Sequence, residues 1–329
     1  MAAVLVAVMV SCKEKEDERT SMDGALYMDS NIPEYVIAGE SYSFKAGGVT
    51  APDGTAVGYY FTRPITSVKD TLKSEKDTFV YEIPDTLGTF SVTCTAYPVE
   101  SSDKYYSSSA YITFTIVSDD PVNGSITNIA EHPGDENVEL DGRPYKASAA
   151  GSLTWLRSNL CTIRRDSSNK EIFGHSFQNS PAMQNILGAY YTWEEAQTAC
   201  PDGWHLPSDA EWVDLLKSVG APQDLQPFQD SPSGAGKLMV KACFNGSVMW
   251  DYYRNVNIQD AVLSAIPAGY ATINDGVYRF SGMKEYAMFW TSDERDGMGV
   301  YRYIFEQNDN VYVASADKRT FAASVRCVK

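Results

Sequence analysis

The chain has 329 residues, 43% of them apolar and 12% aromatic, which is enough to bury more than one core, and length alone predicts two domains. Its 27 basic and 43 acidic residues leave a net charge of −16. That balance excludes a nucleic-acid partner, whose phosphates require a basic face, and equally a polybasic membrane-binding surface.

Residues 1–11, MAAVLVAVMVS, carry no charge and form an apolar run of signal-peptide length, too short to span a bilayer. No Lys or Arg precedes the run, a departure from the usual basic start of such a segment. The sequence Val10-Ser11-Cys12 resembles the lipobox of bacterial lipoproteins, which implies cleavage before Cys12 and a lipid on its thiol. A diacylated cysteine is anchor enough for a soluble body. The following KEKEDER cannot bury itself, so 12–30 reads as a charged tether. It is similar to the acidic signal of Bacteroidetes surface lipoproteins, which implies a lipid-anchored protein of the outer membrane facing the cell exterior.

Residues 31–118 read as short β segments broken by turn residues, with alternation clear at Phe90, Val92, Cys94 and Ala96. This predicts an all-β antiparallel sandwich, and its closing segments resemble immunoglobulin-like or PKD-like modules. Antibody-type domains place half of a disulfide where Cys94 stands, but the partner position falls near Phe44, so Cys94 is expected as a free, buried thiol. The segment has no His and its acids are scattered among turns, which leaves it a spacing and presenting role. Asp70-Thr71-Leu72 and Asp85-Thr86-Leu87 resemble an O-glycosylation acceptor of Bacteroidetes and read equally well as turns.

All six tryptophans lie from Trp155 onward, beyond a polar stretch at 119–139 that reads as a linker with His132 solvated in it. From 140 to 329 the character changes. Two strands are predicted on either side of Gly151, and a helix follows, capped by Thr192 with Glu195 completing the box and ended by Pro201. A second capping box, Ser208 with Glu211, opens a helix whose Trp212, Leu215 and Leu216 share one face. Trp204 and Trp212 are expected to pack, and His205 and His175 to be structural, since neither has a nucleophile or acid at catalytic spacing.

The string CPDGWHLPSDAEW at 200–212, preceded by TWLRSNL and YTWEEA and closed by ASVRCV at 323–328, resembles the Fibrobacter succinogenes major paralogous domain. The resemblance covers 140–329 and implies an α+β domain similar to C-type lectins. It implies a disulfide from Cys200 at the helix end to Cys327 in the last strand, a bond that an exported protein permits. Closing so long a loop stabilises by about 4 to 5 kcal/mol in the chain-entropy model.

A lectin-like fold places its binding surface in the long loop region 224–286. Trp250, Tyr252, Tyr253, Arg254, Tyr270, Asp275 and Tyr278 are the ligand-binding candidates there, since aromatic faces stack on sugar rings while Asp and Arg satisfy hydroxyls. Asn274-Asp275-Gly276 carries oxygen ligands of the kind calcium takes but also reads as a turn, and no calcium, metal or other cofactor is claimed. The expectation is a non-catalytic surface protein whose partner is a glycan or a cell-surface protein. The alternatives are an adhesin or fimbria-associated subunit and, from the same fold neighbourhood, a formylglycine-generating type of oxidase. The oxidase would need Cys161 and Cys243 as reactive thiols.

Overall fold

The computed structural model describes residues 17–62, 71–74, 76–120, 123–127, 129 and 131–329. Cys12 and Asp70 lie outside the described residues. Strand outweighs helix, 45% to 9%, so the fold is β-rich. The described residues form two compact units. The first draws on the described residues of 17–31, 41–81 and 90–113; the second on those of 32–40, 82–89 and 114–329.

In the first unit, β1 (Asp23–Ser30), β2 (Ser41–Thr50) and β5 (Thr78–Glu82) make one sheet. A second sheet runs in the order β7 (Ser108–Ile116), β6 (Gly88–Pro98), β3 (Val57–Thr62), β4 (Thr71–Ser74). The period-two pattern read from the sequence is the burial pattern: Phe44 and Ala46 of β2, and Val92, Cys94 and Ala96 of β6, point inward and are buried. Phe79 of β5 stacks on Phe61 of β3 with ring centroids 5.2 Å apart, joining the two sheets. Cys94 is a free, buried thiol, and burial pushes it up to about 11. The expected tether ends sooner than residue 30. A short strand, Thr20–Ser21, and β1 both fall inside it, because Tyr105–Tyr106 pairs with the first and β2 satisfies the backbone of β1.

In the second unit the chain begins its pairing inside the stretch expected as linker. β8 (Glu136–Leu140) joins β9 (Arg143–Ala150) through a two-residue turn in which Asp141 and Gly142 both take positive φ, 51° and 72°. β10 (Leu153–Leu156) then meets the end of the chain: Lys329 donates its backbone N–H to Thr154 O, and Leu156 donates to Cys327 O. His132 is not solvated as expected, since its Nε2 lies 3.3 Å from Asp260 Oδ2. Both capping boxes form, Thr192 with Glu195 before α1 (Trp193–Ala196) and Ser208 with Glu211 before α2 (Asp209–Ser218). The Cys200–Cys327 disulfide is made, bridging residues 127 apart with Cα atoms 5.7 Å apart.

The central sheet of this unit is β14 (Tyr286–Arg295), β15 (Met298–Phe305) and β16 (Val311–Ala316), in that order and antiparallel. Beside it run β11 (Ala189–Thr192), β17 (Phe321–Ala323), β12 (Tyr270–Asn274) and β13 (Val277–Ser281). One face of the central sheet is core. Phe289 and Ile304 are buried there with Trp212, Leu215 and Leu216 of α2, and Trp212 packs against Phe289 and Trp155 at 5.4 and 4.9 Å.

Candidate functional site

The other face of the central sheet carries the candidate site. Opposed residues of an antiparallel pair point to the same side, and alternate residues to opposite sides. The register therefore gathers Tyr286, Met288 and Trp290 of β14 with Phe305, Tyr303 and Tyr301 of β15. It sets Tyr312 of β16 opposite Tyr303. Met288 and Trp290 are buried by the neighbouring strands. The remaining rings are only half-buried, a sheet face that would ordinarily be polar.

These rings form a continuous shelf. Tyr303 stacks on Tyr312 and Tyr286 on Phe305, each with centroids 4.9 Å apart and planes within 20°. Tyr301 stacks on Phe321 at 5.2 Å, and Phe321 on Tyr270 at 5.3 Å. Tyr286 and Tyr303, 6.3 Å apart, connect the two rows. Tyr270 reaches the shelf because Gly269 lets its strand come close to β14. Gly269 has φ 74°, donates to Tyr286 O at 2.7 Å, and a Cβ there would sit 2.2 Å from Ser281 O. At the other end Trp193 lies against Gly299, where a Cβ would meet the indole at 2.4 Å. Lys318 Nζ sits 4.4 Å over that indole.

The polar groups are arranged around the rings. Among the described residues, nothing hydrogen-bonds the hydroxyls of Tyr270, Tyr286, Tyr301 and Tyr303. Burial pushes the phenols of Tyr286, Tyr301 and Tyr303 up, so at neutral pH each is an uncharged donor and acceptor. The Tyr312 hydroxyl accepts from Asn308 at 2.9 Å and Asn310 at 3.3 Å. Asp230 holds the Val313 N–H at 2.8 Å, and Lys318 pairs with Glu294. Flat rings with unused hydroxyls, edged by Asn, Asp and Lys, can stack on an apolar ring face and hydrogen-bond hydroxyls around it.

The seven loop candidates separate. Trp250 is corrected: it is fully buried in the core, its Nε1 donating to Val240 O at 3.0 Å, because the apolar indole gains more from the core than the polar run around it suggests. Tyr252, Tyr253 and Arg254 remain on the surface or near it. Arg254 Nε donates to Tyr253 Oη at 3.2 Å, and Lys241 lies 4.5 Å over the Tyr253 ring. Their loop is fastened next to the shelf: Tyr252 N–H donates to Glu306, the residue after Phe305, and Asp251 N–H to Lys284 O. Tyr270 belongs to the shelf itself. Asp275 turns the β12–β13 hairpin with φ 51° and is exposed.

Tyr278 lies elsewhere, in a 390 Å3 cleft lined also by Arg165, Glu171 and His175. It stacks on His175 at 3.7 Å. Burial pushes this histidine below its ordinary value, against the pull of Glu195 and Glu171. His205 is held by Glu211 at 2.9 Å. No group of three or more His, Cys, Asp or Glu able to hold a metal occurs among the described residues. Cys161 is buried with the Tyr145 hydroxyl 2.9 Å from its Sγ, and Cys243 is half-buried on a short strand opposite Val248.

A β-rich unit closed by a Cys200–Cys327 disulfide, with β10 paired to the end of the chain, defines the class of domain. The Fibrobacter succinogenes major domain matches residues 149–329, more than half of the chain, and the chain belongs to that family. No match was found among curated proteins. The sequence alone did not single out Tyr286, Tyr301, Tyr303, Phe305, Tyr312 or Phe321. The available signal was the alternation Tyr301-Arg302-Tyr303-Ile304-Phe305, in which both sets are large and only one can face the core.

Proposed function

We propose that the chain is a lipid-anchored, non-catalytic surface protein of the bacterial outer membrane, in which the C-terminal domain is a C-type-lectin-like head that binds glycan. The β-sheet unit before it, read as immunoglobulin-like, serves as a spacer above the lipid on Cys12. The observation that carries the binding role is the half-buried shelf of Tyr270, Tyr286, Tyr301 and Tyr303 with their unused hydroxyls. Stacked rings supply affinity for the apolar face of a sugar, and the rim supplies orientation.

A Cys12→Ser form of the chain, soluble without its lipid, tests this on a glycan array. Binding to a defined set of glycans, weakened about tenfold or more by Tyr303→Ala, is the expected result. Absence of binding to every glycan, together with self-association that Tyr303→Ala abolishes, would favour the fimbria-associated subunit instead.

A further inference from the structure

The shelf is wider than one sugar ring. Tyr312, Tyr303 and Tyr286 stand on the successive strands β16, β15 and β14, and Tyr270 stands beyond them on β12, which comes alongside β14 at Gly269 and Ala287. Neighbouring ring centroids along this row are 4.9, 6.3 and 6.3 Å apart. With strands about 4.8 Å apart the row is roughly 14 Å across, the length of about three sugar units in an extended chain.

The orientation of the rings narrows the ligand further. Tyr301 and Tyr303 are inclined by 41°, Tyr303 and Tyr286 by 55°, and Tyr286 and Tyr270 by 79°. Rings so inclined share no common plane, so they do not match the flat surface of a crystalline polysaccharide. The sugars of a single soluble chain turn about each linkage and present their faces at different angles. Each stacked pair, Tyr303 with Tyr312 and Tyr301 with Phe321, covers one face of each of its rings and leaves only the rim or the other face to a ligand. The four unused hydroxyls are spread over Tyr301, Tyr303, Tyr286 and Tyr270, with centroids 5.9, 6.3 and 6.3 Å apart in that order, so one sugar reaches only part of the set. Contacts that are weak singly add up when one chain makes them together. Burial, and then the charges of Asp230 at Tyr303 and of Glu285 and Glu306 at Tyr286, hold these phenols uncharged, and the same acids disfavour an acidic chain.

Given the glycan-binding reading of the shelf, on which this inference rests, we propose that the shelf takes the interior of a single soluble chain of a neutral polysaccharide. It engages about three or more sugar units at once, from Tyr312 at one end to Tyr270 at the other, in preference to a terminal sugar or a crystalline surface.

The test is calorimetric titration of the Cys12→Ser chain with the mono- to hexasaccharides of β-1,4-glucan, β-1,4-xylan, β-1,4-mannan and α-1,4-glucan, together with those of any neutral polymer that binds on the glycan array. In at least one series the monosaccharide should be silent, and affinity should rise about tenfold or more from the disaccharide to the tetrasaccharide and then level off. Reducing the end sugar of that hexasaccharide to its alditol should leave the affinity within about twofold. Tyr312→Ala should remove most of the gain beyond the trisaccharide and leave disaccharide binding unchanged. Sedimentation with microcrystalline cellulose should leave the protein in solution. A monosaccharide or disaccharide that binds as tightly as its hexasaccharide, retention on the crystalline polymer, or array binding confined to short terminal sugars with every series silent would overturn the inference and leave the glycan-binding reading standing. Silence of every series and of the whole array would remove that reading as well.

Discussion

Arg302 and Asp209 are both fully buried, and their side chains meet twice, at 2.6 and 2.7 Å, between β15 and the first residue of α2. Arg302 also donates to Gln229 O, and Asp209 accepts from the Phe228 N–H, so each guanidinium nitrogen and each carboxylate oxygen has a partner. Taking two charges out of water is repaid only by such geometry, and removing one strands the other. Arg302→Ala should therefore destabilise the second unit by about 3 to 5 kcal/mol in denaturant unfolding. Replacing both by apolar residues should cost much less.

Asp135 adds a pH dependence. Burial pushes its carboxyl up, but the Ser148 hydroxyl, the His132 N–H and the Arg157 guanidinium outweigh this and hold it below the ordinary value. A carboxylate whose folded value is depressed contributes stability that is present above its unfolded value, about 3.9, and is lost as pH falls through the folded one. The melting temperature should fall as pH drops below about 4. Asp135→Asn should lower it at neutral pH and flatten that acid slope. An unchanged slope in the variant would place the acid sensitivity elsewhere.

At the scale of elements, what was legible in the sequence was local. Thr192 with Glu195 and Ser208 with Glu211 announce helix starts by chemistry that acts over three residues, and both boxes form. The strand at Phe90, Val92 and Cys94 announces itself by a period of two. The shelf was not legible because it depends on register between distant strands. Tyr303 meets Tyr312 through a hairpin, but Phe321 and Tyr270 arrive from separate strands of another sheet. Trp250 misled in the opposite direction, since its polar neighbours made it read as loop surface while its indole belongs to the core. Trp250→Ala should cost about 3 to 5 kcal/mol of stability, whereas Tyr252→Ala, at a position 54% exposed, should cost little.

For the whole molecule, the family match and the disulfide fall in the same part of the chain, and the shelf lies there too. The proposed order of lipid, spacer and binding head assigns the binding role to that part alone. The whole chain's net charge of −16 is consistent with a neutral or weakly charged ligand and unfavourable for a polyanion. The central claim is that the sheet face, rather than the long loops, recognises the sugar. The most direct measurement is calorimetric titration of a glycan ligand into the Cys12→Ser chain and its variants. Tyr301→Ala combined with Tyr303→Ala should weaken binding about a hundredfold, with Tyr278→Ala and Tyr252→Ala within about threefold of the parent. Unchanged affinity in the double variant, with loss in Tyr252→Ala or Tyr278→Ala, would contradict the account and return recognition to the loops.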